Sequence, residues 1–147
     1  MKIAIAEATR GITKGEGGPF GCVIVKDGEI VAKAHNQVLL KNDATCHGEM
    51  QAIRKASRKL KTFDLSGCEL YTTGEPCPMC LGAILWANIS KVYFGCNIKD
   101  TEEIGFRDKK FYELNDENKK DFIKELDRDA CLELYAKYKN IDDKKNY

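Results

Sequence analysis

The chain has 147 residues, about one domain by the prior of ~100 to 200 residues per domain, and 43% hydrophobic content suits a globular core. Twenty-four Lys and Arg face 23 Asp and Glu, and a formal net charge of +1 excludes a global field drawing the chain to nucleic acid or an anionic membrane. Seven cysteines, at 22, 46, 68, 77, 80, 96 and 131, make an odd set with no secretory pattern before them. That argues against a disulfide scaffold and for a cytoplasmic protein whose reduced thiols pack, bind metal or catalyse. The longest apolar run, residues 81–87, falls far short of the ~20 needed to span a bilayer.

In chain order, residues 1–13 carry apolar side chains compatible with a short helix, ended by Gly15-Glu16-Gly17-Gly18-Pro19. Residues 20–25 and 29–34 are strand-like runs flanking Lys26-Asp27-Gly28, a hairpin signal. In 47–60, Met50, Ile53, Ala56 and Leu60 recur at helical spacing opposite a charged face. Residues 68–73 read as a strand, 78–87 as a buried helix and 91–96 as another strand, an alternation that predicts α/β layering with some parallel pairing. From Arg107 onward 22 of 41 residues are charged, with signs balanced, as on a solvated helical surface. There Phe122, Leu126, Ala130, Leu134 and Tyr138 step by four, which predicts a helix over 128–138 with a buried face. The whole, 1–147, is expected to form one domain around a mixed sheet of five strands, the fifth near 122–126.

Two patterns carry chemistry: Cys46-His47-Gly48-Glu49 and Glu75-Pro76-Cys77-Pro78-Met79-Cys80, each opening an expected helix. Cys77 and Cys80, three apart, can close on one ion from a single turn, and His47 completes a three-ligand set suited to Zn²⁺ with a fourth position left for water. Helix N-terminal NH groups favour the thiolate forms. Glu49, two residues after His47, is near enough to move protons without ligating the metal.

The arrangement resembles the zinc-dependent cytidine and nucleobase deaminases, whose signature is His-x-Glu followed by Pro-Cys-x-x-Cys. Within that superfamily, Gly17-Gly18-Pro19-Phe20-Gly21, Asn36 before Asn42-Asp43, the run Glu75 onward through Ile84, Trp86, Gly105-Phe106-Arg107-Asp108, and Tyr147 after Lys144-Lys145 resemble the bacterial-type guanine deaminases. The resemblance implies a three-layer α/β/α fold, Zn²⁺ on His47, Cys77 and Cys80, Glu49 as proton shuttle, and conversion of guanine to xanthine and ammonia in purine salvage. It also implies that Asn36, Asp108 and Tyr147 surround the base, with Tyr147 donated by the domain-swapped C-terminal segment of a homodimer partner. Guanine presents donors and acceptors that an amide and a carboxylate can meet, and Phe20, Trp86 or Tyr147 would supply an aromatic wall.

Other readings stay open. Gly48 with Ala44-Thr45 resembles fungal-type cytosine deaminases, and Arg54, Lys55, Arg58, Lys59 and Lys61 invite the tRNA adenosine deaminase branch, although a charged helix face is usually only solvated and nucleic acid is not the expected partner. A zinc-binding interaction module of the same fold is the non-enzyme alternative, against which Glu49 speaks. Cys22, Cys68, Cys96 and Cys131 are expected in the core, Cys46 as a packing neighbour of the site, Met50 and Met79 as core fillers, and His35 as a strand residue.

Overall fold

In the computed structural model, residues 1–113 and 123–142 are described. The chain divides into two compact units, Met1–Tyr112 and Glu113–Tyr147. The first begins with α1 (Lys2–Thr13), β1 (Gly21–Lys26), β2 (Glu29–His35), a short α2 (Val38–Lys41) and α3 (Gly48–Leu60). It continues with β3 (Cys68–Gly74), α4 (Pro78–Trp86), β4 (Lys91–Cys96), α5 (Ile98–Glu103) and α6 (Asp108–Tyr112). The second unit holds α7 (Arg128–Lys139).

The strands lie in the order β2-β1-β3-β4, with β1 antiparallel to both neighbours and β3 parallel to β4. Asp27 and Gly28 turn the hairpin with φ of 50° and 79°, the left-handed pair that a two-residue connection with matching twist requires. Pleating then sorts the strand residues. Cys22, Ile24, Leu70 and Thr72 are buried on one face, where the first three pack with Ala52 and Ala56 of α3 and Ile84 of α4. The opposite face receives α1 at Gly21, so helices cover both sides in three layers.

Expectation and structure part at four places. The helix expected to be buried, α4, fully buries only Cys80 and Ile84 and leaves Met79, Leu81, Leu85 and Trp86 exposed, so Met79 is not a core filler. Among the described residues the sheet has four strands, not five: 123–126 form no strand, and Phe122 lies outside the described residues. The helix expected over 128–138 is present, but its apolar side chains are not buried within its unit, since Leu132, Leu134 and Tyr138 are all exposed. A step of four advances ~40° around a helix, so the pattern drifts off any single face. Cys96 and Cys131 are exposed, while Cys22 and Cys68 are buried as expected. Cys96 ends β4, an edge strand that buries none of its residues, and Cys131 sits on the uncovered α7.

The interior is apolar except for a few paired groups. His35, the last residue of β2, is 4% exposed with Nδ1 3.3 Å from Glu7 Oε2, while Nε2 faces Glu16. Arg10 and Lys33 also reach the Glu7 carboxylate, at 2.7 Å and 3.4 Å. Burial pushes Glu7 up, but the His35 hydrogen bond and the two cations outweigh it and hold its pKa below the ordinary 4.5.

Two outcomes are expected. A Cβ at Gly21 would fall 2.0 Å from Ala4 O and 2.7 Å from Ala8 N, both backbone atoms of α1. Gly21→Ala should therefore lower unfolding free energy by about 1–3 kcal/mol, read from urea denaturation. Because the folded state depresses the Glu7 pKa, its contribution is complete above the unfolded value and lost as pH falls through the folded one. The stability gap between the wild type and Glu7→Gln should be widest above about pH 5 and close toward about pH 3, measured by thermal unfolding across that range.

Candidate active site

Two helix starts meet at one point. His47 is the N-cap of α3 with extended backbone, and Cys77 is the N-cap of α4, followed by Pro78, whose fixed φ and missing N–H suit the first helical position. Cys80 then falls in the first turn of α4, one turn above Cys77. The His47 Nδ1 atom lies 3.7 Å from Cys77 Sγ and 3.6 Å from Cys80 Sγ, and the three ligand atoms all lie within 4.8 Å of one another. Both cysteines are buried and His47 is partly exposed, so the cluster opens on one side.

Glu49, in the first turn of α3, is 5% exposed. Its Oε1 accepts the Thr72 hydroxyl at 2.9 Å, which leaves Oε2 toward the cysteines, 3.6 Å from Cys80 Sγ. Burial raises the Glu49 pKa, against the hydrogen bonds that favour its charge. The neighbouring Cys80 thiol and the His47 ring push the Cys77 thiol down, to about 4, while the contact with Cys77 and burial push the Cys80 thiol up. Two sulfurs and one imidazole nitrogen converging at this range form a donor set that fits Zn²⁺, with three protein ligands as in catalytic zinc sites.

The remaining expected residues are placed as follows. Asn36 is buried at the end of β2, where its Oδ1 accepts Val38 N–H at 3.1 Å and its own N–H donates to Phe20 O at 2.8 Å. The Phe20 ring is half-buried. Asp108, at the start of α6, is also half-buried; burial raises its pKa, the Cys77 charge adds to this and His47 opposes it, so the carboxylate shares the cluster's field. The structure does not bring Trp86 to the cluster: it ends α4, 67% exposed and about 9 Å of helix rise beyond Cys80. Tyr147 lies outside the described residues. Cys46 is buried and donates to Asp43 Oδ2 at 3.2 Å, outside the three-residue cluster.

Three supporting contacts escaped the sequence reading, although Phe106 itself stands in one of the motifs that carry the resemblance. Thr72 orients Glu49; its one signal is a hydroxyl on the buried phase of β3. Phe106 packs its ring edge-on against Phe20, centroids 4.8 Å apart at 81°. Tyr112 donates its hydroxyl to Pro76 O, tying α6, and with it Asp108, to the segment that leads into Cys77. The latter two contacts join distant segments and leave no local pattern.

Comparison with known proteins agrees with this geometry. Residues 1–96 match the family described as the cytidine and deoxycytidylate deaminase zinc-binding region. The chain is 49% identical over 112 residues to guanine deaminase of Bacillus subtilis (strain 168), covering 76% of this chain and 72% of that one. It is 52% identical over 94 residues to a tRNA-specific adenosine deaminase of Aquifex aeolicus (strain VF5), covering 64% and 62%. It superposes on the X-ray structure of guanine deaminase from Bacillus subtilis with a TM-score of 0.93 and 41% identity, covering 99% of this chain and 95% of that chain. Elemental analysis should find about one zinc per chain, and Cys80→Ser, which leaves two of three ligands, should lose most of it; full zinc in that variant would remove Cys80 from the ligand set. With its ligand cluster, buried glutamate and matched sequence in register, the chain belongs to the cytidine and deoxycytidylate deaminase family of zinc-dependent aminohydrolases.

Proposed function

We propose that this protein converts guanine and water to xanthine and ammonia. The observation that carries this reading is Glu49, buried at the mouth of the three-ligand cluster and oriented by Thr72, in a chain that is similar along nearly its whole length to a guanine deaminase. Zinc held by His47, Cys77 and Cys80 supplies Lewis-acid activation of the attacking water. Glu49 does the proton work: with Oε1 held by Thr72, Oε2 takes a proton from that water and gives one to the departing amine. Asn36 and Asp108 pair with the polar edge of the base, the amide offering its Nδ2 donors, since Oδ1 already accepts Val38 N–H, and the ionised carboxylate acceptors only. Phe20, braced by Phe106, covers a ring face.

The same likeness to bacterial-type guanine deaminases extends the reading to a cytoplasmic homodimer with swapped C-terminal segments, each Tyr147 closing the other copy's site in one continuous functional domain. Support for a partner surface comes from α4, whose sequence is apolar nearly all round although Leu85 and Trp86 are each 67% exposed. Trp86 would act at that surface, through the second copy. Among the described residues, no helix is long and apolar enough to cross a membrane. Transfer RNA is the second enzyme reading, since similar chains act on it, but the net charge of +1 offers a polyanion little attraction.

Ammonia release from guanine, cytosine, adenine, cytidine and tRNA offered in parallel decides among these. Release from guanine alone is expected; release from tRNA or cytosine instead would replace the proposal. Glu49→Gln should retain zinc and lose about 10²- to 10⁴-fold in turnover. A chain lacking Asn146 and Tyr147 should retain zinc and lose guanine turnover, and unchanged turnover would remove Tyr147 from the site.

A further inference from the structure

We propose that Glu16, through its hydrogen bond with His35, is a positioning residue that sets the Asn36 amide for the base, a role that rests on the reading of Asn36 as a substrate contact. Glu16 lies in the loop between α1 and β1, and its carboxylate accepts a hydrogen bond from His35 Nε2. A carboxylate only accepts, so this bond needs a proton on Nε2, and it holds the ring with Nδ1 facing Glu7 Oε2 at 3.3 Å. The Glu16 backbone is held as firmly. Its N–H donates to Gly11 O at 3.0 Å, and its carbonyl accepts from both Leu39 N and Leu40 N at 3.1 Å. Gln37 Nε2 reaches the same carboxylate at 3.5 Å.

These contacts close on Asn36 from two directions. Along the chain, Asn36 lies between His35 and Gln37, both bound to the Glu16 carboxylate. Through space, the residue after Glu16 is Gly17, whose backbone lies against the Asn36 side chain: a Cβ there would come within 2.1 Å of Asn36 Oδ1 and 2.7 Å of Asn36 O. The loop therefore forms a wall for the amide, and Val38 N–H sets its rotation by donating to Oδ1 at 3.1 Å. With Oδ1 engaged, the Nδ2 hydrogens are the donors Asn36 has to offer, and their direction depends on where that wall stands. Glu7, Arg10, Lys14 and Lys33 complete the charged surroundings of His35 and Glu16, and none of them carries a metal ligand.

The role is distinguishable from a merely structural one, because it acts on base binding and not on the metal or the proton shuttle. Guanine kinetics should be measured on zinc-loaded wild type, Glu16→Ala, Glu16→Gln, Asn36→Ala and the Glu16→Ala/Asn36→Ala pair, with zinc content and thermal midpoint recorded for each. Glu16→Ala is expected to raise KM about three- to tenfold, the worth of one misplaced hydrogen bond, with kcat within about twofold and zinc unchanged. Glu16→Gln, which keeps an acceptor for His35 Nε2, should restore most of the affinity. In the pair the KM should rise no further than in Asn36→Ala alone. A lowered thermal midpoint with wild-type KM in Glu16→Ala, or additive losses in the pair, would overturn the positioning role while leaving Asn36 in place. Wild-type kinetics in Asn36→Ala would instead overturn the reading of Asn36 and the role of Glu16 with it.

Discussion

Everything in this fold is arranged around a demand of metal chemistry: three soft or borderline donor atoms on segments 30 residues apart must be held within 4.8 Å of one another. Two helices beginning at the same place meet it. Each N-terminus supplies unpaired N–H groups and a positive dipole end, which favour anionic sulfur and carboxylate there. The parallel pairing of β3 and β4 fits this plan, since α4 crosses from one strand to the next and brings Cys77 to the end of β3 at which Thr72 lies. One strand end and two helix starts thus carry the ligand cluster, the buried Glu49 and the Thr72 hydroxyl that orients it.

Burial serves the chemistry more than it serves stability here. A buried carboxylate is expensive, and Glu49 is kept there by the Thr72 hydroxyl and a backbone N–H, with the Cys80 thiol beside its other oxygen. The same cost raises its affinity for a proton, the property a group that both accepts and returns one requires. Glu7 shows the opposite arrangement: it too is buried, but three donors surround it and hold it ionised. Two buried glutamates in one small unit are thus tuned apart by their partners, the pKa of one raised, as its proposed shuttle role requires, and that of the other lowered.

The range of a contact decides how much of it the sequence displays. Asp27-Gly28 announced its hairpin because a turn is made of adjacent residues, and α3 announced itself because amphipathic spacing is periodic. His47 with Glu49, and Cys77 with Cys80, were legible for the same reason: each pair shares one helical turn. Thr72, Phe106, Tyr112 and the Glu7–His35–Glu16 contacts were not, since their partners lie many residues away and no spacing rule links them. The misplaced cysteines follow the same logic. Residue type points Cys96 and Cys131 to the core, whereas Cys96 ends an edge strand and Cys131 lies on a helix that buries none of its residues.

That difference in range also separates reaction from substrate. The atoms that activate water and move protons sit on local motifs, so chains sharing those motifs share the chemistry while acting on bases as different as guanine and a tRNA adenosine. The side chains proposed to meet the base are Asn36, Asp108 and Phe20, each set by long contacts: a loop wall at Gly17, a hydroxyl from Tyr112 to Pro76, a ring edge from Phe106. Changing any of these contacts moves a donor or a wall by fractions of an ångström without touching a metal ligand. Selectivity in such a scaffold therefore resides in the residues that hold the binding side chains, and Glu16 belongs to that class.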